Sequence, residues 1–167
     1  MTNGSGRTLV LLRHAKSDWS GPEADIERPL AERGVRQAGQ AGLWLAEHAA
    51  AIGLAVISPA NRARQTWELA SVRLSTPPQV LVDDRVYAAT AGQLLAVLRE
   101  IPDDVETLVL VGHNPGMEDL ASALAGELVT LRTSGIAVFR MLGSWNDLSP
   151  ATAELLKTGR ASGDKLS

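Results

Sequence analysis

Three short apolar runs are each followed by side chains that can bind or attack a phosphoryl group. Arg13 and His14 follow the first run; Arg62 comes soon after the second, and His113 follows the third. Phosphoryl transfer needs a nucleophile in line with phosphorus and fixed positive charge around the equatorial oxygens. A neutral imidazole, with an ordinary pKa of about 6.5, suits the first task, and arginine suits the second. These four side chains therefore predict a phosphoryl-transfer site wherever the fold brings them together.

The apolar runs themselves indicate the elements that would position these groups. Residues 8–13, 54–57 and 107–111 have the Leu- and Val-rich composition of parallel strands covered on both faces. Between the first two runs, apolar or small residues recur at helical spacing and predict an amphipathic helix. Its expected core face consists of Val35, Ala38, Gly42, Leu45 and Ala49.

Proline and capping residues predict where two further helices begin. Ser58 is expected as the N-cap of a helix with Pro59 in its first position, and Asn114 with Pro115 repeats the arrangement. The remaining pattern predicts a helix over 91–101 and strands over 79–82, 136–141 and 153–160, the last at a sheet edge.

This alternation predicts an α/β protein, a three-layer α/β/α sandwich with a mostly parallel central sheet. We expect one domain over 1–167, with a core of about 8–160 and loose termini. Because ligands in such sheets bind beyond the carboxyl ends of the strands, the four candidate side chains should converge at one edge.

Composition excludes several classes of function. The net charge of −3 gives no basic field for nucleic acid or an anionic membrane. The chain lacks cysteine, and its histidines at 14, 48 and 113 match no common zinc spacing, so we expect no metal and no cofactor. No stretch approaches the ~20 apolar residues of a membrane span, and the polar start does not look like a signal peptide. We expect a cytoplasmic protein, and a monomer.

The three segments around these residues resemble the motif blocks of the histidine phosphatase superfamily (branch 1, with the phosphoglycerate mutase-like fold). They read Leu11-Leu12-Arg13-His14-Ala15-Lys16-Ser17, Ser58-Pro59-Ala60-Asn61-Arg62-Ala63-Arg64-Gln65-Thr66 and Val111-Gly112-His113-Asn114-Pro115-Gly116. The first block has the form common among SixA-like phosphohistidine phosphatases, and the similarity extends from about Leu9 to about Leu148.

The resemblance implies a role for each matching residue. His14 would be the phosphorylated nucleophile, and Arg13, Arg62 and His113 would line the phosphate pocket, with His113 donating hydrogen bonds to the transferring group. Secondary phosphate contacts are expected from Lys16, Ser17 and Asn114.

The segment between the second and third blocks bears on the substrate. Mutase-like relatives carry a proton-donating Glu there, and the nearest position in this chain is Ala88. A phosphate ester expels an alkoxide and gains much from a proton donor, whereas phosphohistidine expels imidazole, which leaves easily. The chain therefore fits a phosphoramidate better than an ester. The aspartates that remain as candidate general acids are Asp18, Asp83 and Asp84.

Three functions are open at this stage. The favoured one is a phosphohistidine phosphatase whose partner is a phosphotransfer domain or a phosphocarrier, as the SixA resemblance implies, with phosphate or sulfate as simple ligands of the pocket. The second is a small-molecule phosphomonoesterase or mutase that uses an aspartate as its acid. The third is a non-catalytic module that binds phosphorylated partners.

Overall fold

Six strands and four helices make up the computed structural model, which describes residues 6–161 and 166. The strands are β1 (Arg7–Arg13), β2 (Leu54–Ile57), β3 (Gln79–Val82), β4 (Thr107–Gly112), β5 (Gly135–Met141) and β6 (Ala153–Arg160). The helices are α1 (Glu32–His48), α2 (Asn61–Ser71), α3 (Ala91–Leu98) and α4 (Gly116–Ala125). Within residues 6–161, no helix is both long enough and apolar enough to cross a bilayer.

All six strands lie in one sheet, in the order β3-β2-β4-β1-β5-β6. The pairs β3-β2, β2-β4 and β4-β1 are parallel, as is typical of strands joined by helical crossovers. Strands β5 and β6 run antiparallel to their neighbours. The predicted mostly parallel sheet is confirmed, and β6 is the edge strand that the sequence indicates.

The sheet separates two apolar layers. Because successive side chains of a strand point to opposite faces, Val10 and Leu12 face α1 and α2, whereas Leu9 and Leu11 face α3 and α4. Each of these four strand residues is fully buried. Helices therefore cover both faces of the sheet, and the predicted three-layer sandwich is confirmed.

The parallel register places the candidate side chains next to one another. Arg13 pairs with Gly112 across β1 and β4, so the next residues, His14 and His113, emerge side by side. Two backbone hydrogen bonds continue this alignment past the strands, from His14 N to the Gly112 carbonyl (3.0 Å) and from Ser58 N to the Val111 carbonyl (3.1 Å).

Three details of the predicted helices are wrong. Helix α4 begins at Gly116 with Pro115 as its N-cap, one residue later than predicted from Asn114 and Pro115. Val35 is 45% exposed, whereas Gln37 of α1 is buried because its side-chain oxygen accepts a hydrogen bond from Lys16 N (3.0 Å). Helix α2 begins at Asn61, so Ser58 does not cap it in the predicted way. The Ser58 hydroxyl is instead engaged by His113, as described below.

The termini are only partly described. Residues 1–5, 162–165 and 167 lie outside the described part of the chain, and with them most of the predicted loose ends. At the carboxyl end, β6 extends to Arg160, as the pattern over 153–160 predicts, and Ala161 is buried.

Two glycines of α1 allow a direct test of the packing between α1 and α2. A Cβ at Gly42 would lie 2.3 Å from the Ala70 carbonyl oxygen, whereas a Cβ at Gly39 would meet nothing closer than 3.8 Å. We expect Gly42→Ala to lower the free energy of unfolding by about 1–3 kcal/mol, because the helices must separate. Gly39→Ala should raise it by roughly 0.5–1 kcal/mol through helix propensity. Urea unfolding of both variants checks this, and equal effects would contradict the packing described.

Candidate active site

One ring nitrogen of His14 is engaged in a hydrogen bond, and the other is free to act as a nucleophile. The His14 backbone is fixed at both ends, since its N–H donates to Gly112 and its carbonyl accepts from Ser134 N (3.0 Å). Its Nδ1 lies 2.8 Å from the Ala15 carbonyl oxygen, which can only accept, so Nδ1 carries the hydrogen. In the neutral ring, Nε2 is then left with a free lone pair, as a nucleophile requires.

His113 faces His14 across the end of the sheet, with ring centroids 5.0 Å apart. Its Nε2 lies 2.7 Å from the hydroxyl oxygen of Ser58. Its Nδ1 is buried and has no hydrogen-bond partner in the described structure. The edge of the Tyr87 ring closes this side of the pocket, with centroids 5.6 Å apart.

Both histidines are held in the neutral form. Burial lowers the pKa of His14 to about 3, and the charges of His113, Arg62 and Arg13 act in the same direction. Burial also lowers the pKa of His113 to about 4, with Arg62 as the next cause. At neutral pH, His14 therefore retains the lone pair that an attack on phosphorus needs.

Arg62 reaches the histidines from the first turn of α2. One of its terminal nitrogens donates to the Asp25 carbonyl (2.7 Å) and the other to an Asp25 carboxylate oxygen (3.1 Å). Thr66, one turn later, donates to the Arg62 carbonyl (2.7 Å) and accepts from Ala15 N (2.9 Å). Through Thr66, the position of Arg62 is tied to the loop that carries His14.

Arg13 is anchored on the opposite side of the site. One terminal nitrogen donates to the Leu131 carbonyl (3.0 Å), which also accepts from the Asn114 side-chain amide (2.8 Å). Glu118 accepts from Leu131 N (2.8 Å) and fixes this segment. The Nε atoms of Arg13 and Arg62 are both buried without a protein partner in the described residues. Two guanidinium groups thus retain unused donors beside the histidines.

The predicted secondary contacts lie in different surroundings. The Asn114 amide is committed to Leu131, although the residue also forms part of a cavity wall. The Ser17 hydroxyl is buried and accepts from Arg28 (2.5 Å), so it positions an arginine. Lys16 is exposed, and the contacts observed for it involve its backbone. The structure therefore ties Ser17 and Asn114 to neighbouring groups and leaves the Lys16 side chain at the surface.

Asp25, which sequence reasoning missed, is a carboxylate in the wall of the cavity that also contains His113. It accepts from Arg28 (2.8 Å), Arg62 (3.1 Å) and the Tyr87 hydroxyl (2.5 Å). The Tyr87 hydrogen bond, followed by that of Arg28, holds the pKa of Asp25 far below its usual range. The carboxylate is therefore ionised and poorly suited to donate a proton. Its spacing of three residues from Arg28 in a short loop was the available sequence signal.

The three aspartates named from sequence as candidate acids lie elsewhere. Asp18 accepts from the Ser20 hydroxyl (2.6 Å), which lowers its pKa. Asp83 forms an ion pair with Arg85 (2.8 Å), which also lowers its pKa. Asp84 is exposed in the following turn. None of the three lines the cavity beside His113, so the structure does not support them as proton donors.

A cavity of about 400 Å³ opens next to Arg62 and His113, where a leaving group would lie. Its wall includes Asp25, Asp119, Tyr87 and Ala88. Ala88 is the position nearest to the Glu that the resemblance to mutase-like members implies. Ala88 has a left-handed backbone with φ of 56°. Within residues 6–161, no cluster of three His, Asp or Glu side chains is arranged to hold a metal ion.

Comparison with known proteins identifies the family. Residues 9–94 match the sequence model of the family described as "Histidine phosphatase superfamily (branch 1)". An uncharacterized protein of Mycobacterium tuberculosis is 39% identical over 156 residues, covering 87% of this chain and 96% of the relative. The chain belongs to the histidine phosphatase superfamily. As a member, it is a phosphatase, and the predicted resemblance to this superfamily is confirmed.

Solved structures agree with this assignment. A candidate phosphohistidine phosphatase SixA from Nakamurella multipartitia is 31% identical, with a TM-score of 0.86 over 95% of this chain and 98% of that one. The protein histidine phosphatase SixA in complex with tungstate is 21% identical and shares the fold, with a TM-score of 0.78 over 92% of this chain and 97% of that one. Among superfamily members, the chain is therefore SixA-like.

The neutral histidines predict a specific dependence of stability on pH. In the unfolded chain both histidines take up a proton below about pH 6.5, whereas in the folded protein they do so only near 3 and 4. Above pH 6.5 the two histidines do not lower the free energy of unfolding. As the pH falls from 6.5 toward 4, each of them lowers it by on the order of 1.4 kcal/mol per pH unit.

Urea unfolding between about pH 7 and pH 5 measures this slope. His14→Asn and His113→Asn should each flatten it, whereas His48→Gln, which alters an exposed histidine on α1, should not. If both site variants kept the slope of the wild type, the two imidazoles would titrate normally in the folded protein and the expectation would be wrong.

Proposed function

We propose that the protein is a phosphohistidine phosphatase that works through a phosphohistidine intermediate on its own His14. The Nε2 lone pair of His14 attacks phosphorus, and the P–N bond of the substrate, whose imidazole ring carries a proton on its other nitrogen, breaks, with its electrons passing to the departing neutral imidazole. Water then attacks the phosphoryl group on His14, releases inorganic phosphate and restores the imidazole. The net change is hydrolysis of one P–N bond.

One observation carries this proposal: His14 presents an unprotonated Nε2 beside two arginines with unused donors and a second buried imidazole. The committed Nδ1 and the pKa of about 3 keep the lone pair available. Arg13 and Arg62 supply fixed positive charge and unpartnered Nε–H groups, and His113 supplies a further buried nitrogen. This arrangement supports stabilisation of the negative charge that spreads over the transferring group.

Two carboxylates, Asp25 and Asp119, line the cavity in the described structure, Asp119 is exposed to solvent, and neither stands at position 88, which favours a phosphoramidate over an ester. Ala88 stands where a proton-donating Glu would be expected, and Asp25 is held in its ionised form by Tyr87 and two arginines. An alkoxide leaves slowly without a proton donor, whereas imidazole, with a conjugate acid of pKa about 6.5, leaves readily. The SixA-like relative named above supports the same choice.

An exposed indole at the edge of the site supports a protein as the substrate. Trp19 is 70% exposed, and its ring stacks on the guanidinium of Arg28, 3.4 Å from the ring centroid. Arg28 in turn contacts Ser17 and Asp25. Rigid exposed tryptophans are typical anchors of protein interfaces. We therefore propose a phosphotransfer domain or phosphocarrier as the partner. As the sequence leads us to expect, we further propose a monomeric enzyme that acts in cytoplasmic signal transduction, with phosphate or sulfate as simple ligands of the pocket.

A small-molecule phosphomonoesterase is the second candidate, and the cavity beside His113 favours it. Its volume of about 400 Å³ is enough to hold a small leaving group. The ionised Asp25 argues against it, since that carboxylate has no proton to donate to an alkoxide.

Loss of His14 tests the nucleophile. His14→Ala should lower kcat toward phosphohistidine by on the order of 10³ or more, because no other group replaces the attacking nitrogen. Brief incubation of the wild type with radiolabelled substrate, followed by an alkaline quench, should trap label on His14. His48→Ala is the matched control and should keep wild-type rates, since His48 stacks on Trp44 at the exposed end of α1. Wild-type turnover by His14→Ala would disprove the assignment.

A carboxyl introduced at position 88 tests the choice of leaving group. The wild type should hydrolyse phosphohistidine faster than alkyl phosphates such as glycerol phosphate. Ala88→Glu places an acid beside the cavity and should raise kcat/KM for alkyl phosphates by about tenfold or more, whereas the matched Ala88→Gln should not. Neither change should greatly affect phosphohistidine, which needs no external acid. Rapid hydrolysis of an alkyl phosphate by the wild type, with none of phosphohistidine, would instead favour the phosphomonoesterase.

A further inference from the structure

The hydroxyl of Ser58 has no capping role at the start of α2, yet it is fully buried. Its oxygen lies 2.7 Å from His113 Nε2, and the same oxygen accepts a weaker hydrogen bond from Ala60 N (3.2 Å). The Ser58 backbone is fixed to β4 through its bond to the Val111 carbonyl. The hydroxyl is therefore held against one edge of the His113 ring.

The contact between Ser58 and His113 has two hydrogen arrangements with opposite consequences. A neutral imidazole carries one hydrogen, on either Nδ1 or Nε2. If Nε2 donates to Ser58, then Nδ1 is a bare acceptor that repels phosphoryl oxygens. If the Ser58 O–H donates to Nε2, then Nδ1 carries the hydrogen and can donate.

Two observations favour donation by Ser58. The Ser58 oxygen already accepts from Ala60 N, and its own hydrogen has no other acceptor among the observed contacts. Nδ1 of His113 is buried without a partner in the described structure, beside two arginines that carry unused donors. An N–H at that position matches the anion that the arginines would hold, whereas a lone pair does not.

We infer that Ser58 is a positioning residue that fixes the hydrogen of His113 on Nδ1 and so makes His113 a donor to the transferring phosphoryl group. The inference rests on the proposed function, because the transferring group is its acceptor. The two facing histidines then have the same protonation pattern and present different edges. In His14, the Nδ1 hydrogen is donated to the Ala15 carbonyl, so Nε2 is the nucleophile. In His113, Nε2 accepts from the Ser58 hydroxyl, so the Nδ1 hydrogen is the donor.

Nitrogen-15 spectra of the imidazole rings test this assignment without any substrate, because protonated and bare ring nitrogens resonate at well-separated shifts. The chain has three histidines, so His14→Asn and His48→Gln assign the signals. In the ligand-free wild type near neutral pH, His113 should appear as the neutral Nδ1–H form. In Ser58→Ala a substantial fraction should move to the Nε2–H form, and Ser58→Thr, which keeps a hydroxyl, should restore the wild-type pattern.

Kinetics connect the tautomer to the reaction. Ser58→Ala should lower kcat for phosphohistidine by about tenfold, a loss of one donor hydrogen bond in the transition state. Ser122→Ala is the matched control: it removes a serine hydroxyl that bonds both to the carbonyl and to the N–H of Val129, away from the two histidines, and should leave kcat unchanged.

The outcomes separate this inference from the proposed function. A wild-type His113 in the Nε2–H or doubly protonated form, or an Nδ1–H form unchanged in Ser58→Ala, overturns the role of Ser58 whatever the activity. An Nδ1–H form that depends on Ser58, in an enzyme that does not hydrolyse phosphohistidine, keeps the hydrogen arrangement and rejects the proposed substrate. If Ser58→Thr does not fold, the comparison of the wild type with Ser58→Ala still decides.

Discussion

The register between β1 and β4 is the constraint on which the site depends. A parallel pair with Arg13 opposite Gly112 obliges the residues that follow, His14 and His113, to leave the sheet together. The backbone hydrogen bond from His14 N to the Gly112 carbonyl extends the ladder by one step and removes the freedom that a loop residue would otherwise have. A slip of one residue would turn His14 toward the opposite face of the sheet. The apolar alternation of Leu9 to Leu12 between two buried layers opposes such a slip.

Burial then gives the gathered side chains their chemistry. In water the two imidazoles would be partly protonated near neutral pH, but under the helices their pKa values lie near 3 and 4. Burial also lowers the pKa of Arg13, yet a guanidinium starts so high that it stays charged. The same desolvation therefore produces neutral histidines beside permanent cations. The proposed nucleophile and the arginines that would stabilise negative charge on the transferring phosphoryl group can coexist in one pocket because arginine and histidine respond so differently to burial.

Much of this arrangement follows from the sequence, because strands and their carboxyl ends leave strong local patterns. The apolar runs predict β1, β2 and β4 to within a residue or two, and the rule that ligands bind beyond parallel strands selects His14 and His113. Asp25 could not be selected in this way. It begins a single 3-10 turn, Asp25–Glu27, and its importance comes from contacts with Arg62 and Tyr87, which are 37 and 62 residues away. Ser58 was misread for a related reason, since a serine before a proline favours a helix cap and only the fold brings His113 to it.

The contacts of Arg62 with Asp25 explain how a cationic pocket persists in the free enzyme without blocking the substrate. Both terminal nitrogens of Arg62 donate to Asp25, so the guanidinium plane is fixed before any phosphate arrives. Each terminal nitrogen carries two hydrogens, and Nε carries a fifth. This Nε–H is buried and has no partner among the described residues. A phosphoryl group can therefore bind Arg62 while Asp25 stays in place. Since Arg28 and Tyr87 hold the same carboxylate, displacing it would break several hydrogen bonds at once, and a fixed guanidinium loses less side-chain entropy when it meets the anion.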